Sequence, residues 1–184
     1  MKTNIAVEEF KQGSKYSGAE IFVIDDEQLV VDTLTYFLRS AGFKRVQGFA
    51  DSAEAIAKMR FVRPDVIFTD IRMPGINGNM FTKMARGVPH LQNVPIIAVT
   101  ADHSFETSRQ IIDAGAESVL IKPVAREILV QRTVHAIENA SCRRYVSETE
   151  SSFSQDKAFD LAEIPNRSLQ DVVFRQRRRN RFRE

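Results

Sequence analysis

The sequence is poor in the residues that build disulfide-linked or zinc-based scaffolds. Its 184 residues include one cysteine, Cys142, and three histidines. A single cysteine excludes an intramolecular disulfide, and the scarcity of both residue types argues against a zinc site. The chemistry of this chain is therefore expected to lie in other residue types.

Long apolar runs are missing as well. No stretch of about 18 apolar residues occurs, and the first residues, MKTNIAVEEFKQGSKYSG, hold no hydrophobic segment of the kind that a signal peptide needs. Hydrophobic residues make up 43% and charged residues 27%, which is the composition of a globular protein that can bury a core. We expect no membrane contact and a cytoplasmic location.

Five short apolar runs alternate with longer amphipathic segments between residues 20 and 140. The runs are IFVI (21–24), RVQGF (45–49), VIFT (66–69), IIAVT (96–100) and SVLI (118–121). They are rich in Val, Ile and Phe with little polar alternation, as is typical of strands covered on both faces. The alternation predicts an α/β fold: a doubly wound, five-stranded parallel sheet of the flavodoxin-like order 2-1-3-4-5, with helices on both faces.

The helical segments carry their own start and stop signals. The segment EQLVVDTLTYFLRSAG (27–42) has one apolar face, and Gly42 predicts its end. The segment DSAEAIAKM begins with Asp51, and Glu54 follows at the spacing of a capping box. The fifth helix is predicted over residues 125–140.

Polar side chains stand where the predicted strands end. Asp25 and Asp26 follow the first strand, Asp70 ends the third, Thr100 ends the fourth and Lys122 follows the fifth. Ligands of such sheets bind beyond the carboxyl ends of the strands, so these groups are expected to converge there. No glycine-rich loop follows any of these strands, which argues against a dinucleotide or P-loop site.

Three carboxylates that converge repel one another. Two unit charges about 4 Å apart cost roughly 4 kcal/mol at an effective dielectric near 20. A bound cation or a proton would relieve that cost, and oxygen ligands favour Mg²⁺. With a lysine and a hydroxyl nearby, the set indicates Mg²⁺-assisted phosphoryl transfer in which one carboxylate could be the nucleophile. The plainer alternatives are a helix N-cap for Asp25 and Asp26, a loop aspartate for Asp70 and a solvated surface lysine for Lys122.

Four motifs together resemble the receiver domain of bacterial two-component response regulators, single-domain type. They are IFVIDDE (21–27), VIFTDIRMPGINGNMF (66–81), IIAVTAD (96–102) and AGAESVLIKPV (114–124), in the family's order and spacing. The resemblance covers about residues 19–140. It implies that Asp70 accepts a phosphoryl group from a sensor histidine kinase or phosphotransfer protein, with Mg²⁺ as cofactor.

The resemblance also implies the roles of the neighbouring groups. Asp26, Asp70 and the backbone carbonyl of Arg72 would bind Mg²⁺ directly, and Asp25 would act largely through water. Lys122 would bind a phosphoryl oxygen and Thr100 would move toward it.

Further implications concern the output of the domain. The Lys122–Pro123 bond would be cis. The readout surface would be the fourth helix, fifth strand and fifth helix, which could also form a homodimer. The protein would be no enzyme beyond slow self-dephosphorylation and would have no separate catalytic domain.

Two features differ from the family pattern or modify it. Val119 stands three residues before Lys122, where the family usually has a Tyr or Phe that swings inward when the threonine moves. Arg72 and Asp102 each lie two residues after a site residue. We hypothesise that they pair across the mouth of the site and slow hydrolysis; the alternative is that both project into solvent.

The ends of the chain differ from its body. Residues 1–18 form an extension without a recognisable role, and residues 141–184 a linker and an Arg-rich tail. The stretch SETESSFSQDKAFD is polar and acidic, and Ser168 and Asp171 stand at capping-box spacing before six arginines between Arg175 and Arg183. This tail could be solvated or dock on the body, bind a protein partner, or contact nucleic acid or an anionic membrane.

Three functions compete at this point. The first is a phosphoacceptor that signals through contacts with an unknown downstream protein. The second is an adaptor that keeps the fold and binds partners without phosphorylation, which Val119 favours. The third is a nucleic-acid-binding protein that acts through the tail, which is weakened because too few residues remain for a DNA-reading module.

Overall fold

The computed structural model describes residues 15–155, with side chains as far as Ser141. The chain divides into two units, residues 1–145 and 146–184. The first unit contains the sheet and the helices that cover it. Of the second unit, residues 146–155 are described, as the end of a helix.

Strands and helices alternate along the described chain. The strands are β1 (Glu20–Ile24), β2 (Arg45–Phe49), β3 (Val66–Asp70), β4 (Ile96–Thr100) and β5 (Ser118–Ile121). The helices are α1 (Gln28–Ser40), α2 (Ser52–Met59), α3 (Gly78–Arg86), α4 (Phe105–Asp113) and α5 (Arg126–Gln155), and a 3-10 turn, Pro89–Leu91, precedes β4. The strands pair in parallel in the order β2-β1-β3-β4-β5. The predicted fold class and strand order are confirmed.

Burial along the strands follows their place in the sheet. Every residue of β1, β3 and β4 is buried, whereas the edge strands β2 and β5 are partly exposed. Alternate residues of a strand face opposite sides, so Val23 joins the core beneath α1 and α5 while Phe22 joins the core beneath α2 and α3. Helices therefore cover both faces, and the strand ends remain for the loops that carry polar groups.

Short polar side chains cap the starts of α2, α3 and α4, and the cap of α2 by Asp51 was predicted from the sequence. The Asp51 carboxylate accepts the Ala53 N–H at 2.7 Å at the start of α2, although the reciprocal bond from Glu54 is not formed. Asn77 caps α3 and Ser104 caps α4 in the same way. Gly42, with φ of 102°, lies just past α1 and ends it, because a left-handed conformation favours glycine.

Helix α5 extends well beyond its predicted end. The sequence predicts an end near Ala140, but the helix continues to Gln155 and so includes the first part of the predicted linker. No glycine or proline occurs between Pro123 and Gln155, so no strong helix breaker interrupts α5. The Arg-rich tail and the Ser168 capping box lie outside the described residues.

The N-terminal extension, of which residues 15–18 are described, contacts the domain. Tyr16 packs beside the core under α1 and α5, and its hydroxyl donates to the carboxylate of Glu138 on α5. The Ser17 carbonyl accepts the Lys44 N–H at 3.1 Å. Within the described part of the chain, no helix combines the length and the apolar character that crossing a bilayer requires.

Candidate functional site

The carboxyl ends of four strands bring the predicted site residues to one edge of the sheet. Asp70 and Thr100 are the last residues of β3 and β4, and Asp25 and Lys122 directly follow β1 and β5. Because β1 and β4 both pair with β3, the ends of these strands are neighbours. The convergence that the sequence predicts is therefore present at the level of the backbone.

Lys122 joins two of the three carboxylates. Its Nζ lies 2.7 Å from Oδ2 of Asp25 and 2.8 Å from Oδ1 of Asp70. The Glu27 carboxylate is a more distant third neighbour, at 3.8 Å. The Asp25 and Asp70 side chains are buried, at 1% and 6% exposure, and that of Lys122 is 16% exposed. The surface-lysine alternative for Lys122 is wrong, since its ammonium is the cation that compensates this buried pair.

Burial and the neighbouring charges shift the pKa values of Asp25 and Lys122. Burial raises the pKa of the Asp25 carboxyl, and the hydrogen bond from Lys122 opposes that rise without cancelling it. Burial disfavours the charged form of Lys122, but its hydrogen bonds to Asp25 and Asp70 outweigh burial and raise its pKa. The ammonium is therefore held firmly in its charged form beside Asp70.

Asp26 and Thr100 lie at the same edge but outside this cluster. The Asp26 side chain is exposed. Thr100 is buried, and its Oγ1 accepts the Asp102 N–H at 3.1 Å. The helix-cap alternative for Asp25 and Asp26 is also wrong, because Glu27 is the N-cap residue of α1 and makes no side-chain cap. Asp25 instead accepts the Glu27 N–H at 3.1 Å.

The loop after β3 folds back on the acceptor residue. The Arg72 N–H donates to Oδ2 of Asp70, so both Asp70 oxygens have a donor. Gly78, at the start of α3, sits so close that a Cβ on it would lie 2.3 Å from the Asp70 carbonyl oxygen. Reasoning from sequence missed Gly78 as a site residue, although a glycine that opens a helix signals such close approach.

The side chains of Arg72 and Asp102 form an ion pair. The Arg72 guanidinium pairs with Oδ2 of Asp102, and this confirms the predicted pairing and excludes the alternative that both project freely into solvent. The pKa of Asp102 is far below its ordinary value, first because the Ser104 N–H donates to it and then because Thr107 and Arg72 do. Slower hydrolysis by this pair stays a prediction, which the phosphoryl half-life of Arg72→Ala would test.

One further expectation about this region is confirmed, and the packing of Val119 is now visible. The Lys122–Pro123 peptide bond is cis. Val119 is partly buried against a small cluster that includes Ile71 and Ile111. No aromatic ring is available at this position to swing between exposed and buried states.

The atom types at this edge, carboxylate and carbonyl oxygens, are those that magnesium prefers. Within the described residues, no three His, Cys, Asp or Glu side chains are grouped so as to hold one ion by themselves. Magnesium commonly binds through one or two carboxylates and completes its octahedron with other oxygens, water among them. Three carboxylates against one ammonium leave this edge negative, and the acceptors are all oxygen atoms.

Comparison with known proteins points in one direction. A family model described as the response regulator receiver domain matches residues 21–134. The C4-dicarboxylate transport transcriptional regulatory protein DctD of Rhizobium meliloti is 35% identical over 132 residues, which are 71% of this chain and 27% of that protein. The CAI-1 autoinducer sensor kinase/phosphatase CqsS of Vibrio cholerae is 30% identical over 113 residues, which are 61% of this chain and 16% of that protein.

A solved structure agrees with these matches. The chemotaxis protein CheY4 of Vibrio cholerae superposes with a TM-score of 0.61 at 30% identity, covering 64% of this chain and 98% of that one. The chain spans roughly a quarter or less of the two curated relatives named above.

The parallel sheet and its acidic edge thus define a flavodoxin-like receiver module. The chain belongs to the response regulator receiver domain family of two-component systems. Phosphoryl acceptance is expected for this family, which is generally Mg²⁺-dependent, and its domains interact with sensor histidine kinases or phosphotransfer proteins.

Proposed function

We propose that this protein is a phosphoacceptor that takes a phosphoryl group on Asp70 from a histidine kinase or phosphotransfer protein in the cytoplasm. The observation that carries the proposal is the buried Asp70 carboxylate with the Lys122 ammonium 2.8 Å away, at the open end of the sheet. A carboxylate oxygen can act as the nucleophile, and a cation held beside it can neutralise incoming phosphoryl oxygens.

The reaction is a phosphoryl transfer between two residues. A carboxylate oxygen of Asp70 attacks phosphorus, the O–P bond forms, the N–P bond to the donor imidazole breaks, and the imidazole leaves with its electron pair. Lys122 is placed to shift from the carboxylates toward a phosphoryl oxygen. The Thr100 hydroxyl accepts from Asp102, so its own hydrogen can donate to another phosphoryl oxygen.

The metal belongs to the same proposal. Asp26, Asp70 and the carbonyl of Arg72 would hold Mg²⁺, with Asp25 acting through water. When bound, the ion would supply positive charge to the phosphoryl oxygens in the transition state. The exposed Asp26 leaves this side of the edge open to solvent.

Incubation with acetyl phosphate and Mg²⁺, followed by intact-mass measurement, tests the proposal. The wild type should gain one phosphoryl group, and Asp70→Asn should gain none because it lacks the nucleophile. Asp51→Asn is the matched control, since it makes the same change at a helix cap away from the site and should react as the wild type does. A phosphoryl gain on Asp70→Asn equal to that of the wild type would contradict the assignment of Asp70.

The adaptor function is the second candidate, and Val119 is the observation that favours it. Val119 packs beside Ile71 and Ile111, and a valine cannot make the inward swing by which an aromatic at this position would transfer the signal from the threonine to the β5 face. A wild type that folds but gains no phosphoryl mass would favour the adaptor.

A further inference from the structure

Asp102 is the residue through which the site and helix α4 are joined. It lies in the short loop between β4 and α4. Its main-chain N–H and both of its carboxylate oxygens are engaged, each toward a different neighbour. Because one residue makes all of these hydrogen bonds, a movement of one partner is expected to shift the others.

Two of these bonds reach toward the phosphoacceptor. The Asp102 N–H donates to Oγ1 of Thr100 at 3.1 Å. The Asp102 carboxylate pairs with the guanidinium of Arg72, whose own N–H donates to Asp70. Asp102 is therefore two contacts away from the Asp70 carboxylate by way of Arg72.

Two other bonds reach the first turn of α4. Oδ1 of Asp102 accepts the N–H of Ser104, the N-cap residue, at 2.8 Å, and Oδ2 accepts the Thr107 hydroxyl at 2.7 Å. The partial positive charge at the start of a helix also stabilises a carboxylate placed there. The start of α4 is thus held in place by the same carboxylate that binds Arg72.

We propose that Asp102 couples phosphorylation of Asp70 to the first turn of α4, in place of the aromatic residue that Val119 replaces. This inference rests on the proposed phosphoacceptor function. A phosphoryl group on Asp70 brings close to two negative charges and several acceptor oxygens. These oxygens compete with Asp102 for the Arg72 guanidinium, which favours phosphate. They also accept the Thr100 hydroxyl hydrogen, which draws Thr100 and its contact with the Asp102 N–H toward the phosphoryl group.

The consequence is a change at the surface of α4. When Arg72 and Thr100 turn toward the phosphoryl group, the Asp102 carboxylate loses a charged partner and its N–H loses or shifts its acceptor. The bonds to Ser104 and Thr107 then readjust, and the first turn moves with them. Phe105, the first residue of α4, is 81% exposed beside this turn and would report the movement.

The absence of tryptophan from the sequence allows a direct measurement. The full chain carrying Phe105→Trp has a single tryptophan at the start of α4. Its emission is recorded before and after acetyl phosphate and Mg²⁺, and the phosphorylated fraction is measured by intact mass on the same sample. We expect a shift of emission in this parent, and at most half of that shift per phosphorylated molecule once Asp102→Ala is added.

Two further variants make the result specific. Asp113→Ala removes an exposed carboxylate at the far end of α4, where Asp113 pairs with Arg109 at 3.7 Å, and should keep the full shift. Thr107→Val removes one bond to Asp102 with little change of shape and should lose part of the shift. If thermal melting shows that Asp102→Ala does not fold, Thr107→Val is the variant that tests the coupling.

The outcomes separate this coupling from the function beneath it. A parent that gains the phosphoryl mass without an emission shift overturns the coupling alone. So does a full shift in Asp102→Ala, or in Thr107→Val where the first variant is unfolded. A folded parent that gains no phosphoryl mass overturns the proposed function, and the coupling falls with it.

Discussion

At the scale of single residues, Lys122 determines the electrostatic state of the site. It contacts two buried carboxylates from different strands and keeps its own charge because those contacts outweigh burial. A buried ion pair is costly to form, and it is costlier still to lose one member, since the other charges remain without compensation.

Replacement of this lysine should therefore destabilise the fold in a pH-dependent way. Lys122→Met leaves Asp25 and Asp70 facing each other, and we expect a loss of roughly 3 kcal/mol at pH 7. The pKa of Asp25 is already raised in the folded state by burial and should rise further. The folded variant then binds a proton more readily than the unfolded chain, so its stability rises as pH falls through the folded pKa.

Urea unfolding of wild type and variant at pH 7 and pH 5 measures this effect. The difference in unfolding free energy should shrink at the lower pH. Lys83→Met, at an exposed lysine of α3, is the control and should change stability little at either pH. A deficit that is the same at both pH values would show that Asp25 does not take up the proton.

At the scale of elements, the strands and the helix caps were predictable and the connections between distant loops were not. Apolar runs define the strands because three of them are buried on both faces, and Asp51 and Gly42 act locally as their residue types suggest. The predicted end of α5 was wrong, because the polar stretch after Ala140 contains no glycine or proline to break the helix. Arg86, at the end of α3, makes contacts between distant loops that the sequence pattern does not predict.

Arg86 ties three segments together at the end of the sheet opposite the site. Its Nε and Nη2 donate to the Gly115 carbonyl at 3.0 and 2.8 Å. Its Nη1 donates to the carbonyls of Leu91 and Val94 at 3.1 and 2.9 Å. A Cβ on Gly115, whose φ is 109°, would lie 2.9 Å from the Arg86 side chain, so the loop and the arginine fit closely.

Truncation of Arg86 should therefore cost stability although the residue is far from the chemistry. We expect Arg86→Ala to lower the free energy of unfolding by about 2–3 kcal/mol, since charged hydrogen bonds to half-buried carbonyls are lost. Chemical denaturation measures the change, with Arg132→Ala, at an exposed arginine of α5, as the matched control. Equal stability of the two variants would contradict a tying role for Arg86.

At the scale of the whole molecule, the position of the site could be predicted because the sheet topology determines which residues lie at the same edge. Once five parallel strands with right-handed crossovers were inferred, the residues at their carboxyl ends had to share one edge. Which side chains touch there could not be inferred from the sequence. Side-chain conformation decides that Lys122 joins Asp25 and Asp70 while Asp26 stays exposed, and that Thr100 accepts from Asp102.

Metal binding should appear as stability of the whole fold. If Mg²⁺ binds at this edge, the melting temperature should rise with Mg²⁺ concentration and fall back in EDTA, because a ligand that binds only the folded state stabilises it. Asp26→Asn should lose most of that rise, and in EDTA it should be at least as stable as the wild type. Asp32→Asn, at an exposed acid of α1, should keep the full rise.

Calorimetry or thermal fluorescence with an added dye would record these curves. An Mg²⁺-dependent rise in Asp26→Asn as large as that of the wild type would contradict the assignment of Asp26 as a ligand.

Arg72 makes one contact through its main chain and a different one through its side chain. Its N–H holds the Asp70 carboxylate, while its guanidinium points away to Asp102. Any residue type except proline supplies the first contact, and only the second depends on which side chain stands there. On the proposed phosphoacceptor function, we therefore expect substitutions at position 72 to change how long the phosphoryl group persists on Asp70, while the main-chain contact to Asp70 is kept. We accordingly expect single substitutions of this side chain to alter signalling behaviour in proteins that still accept the phosphoryl group.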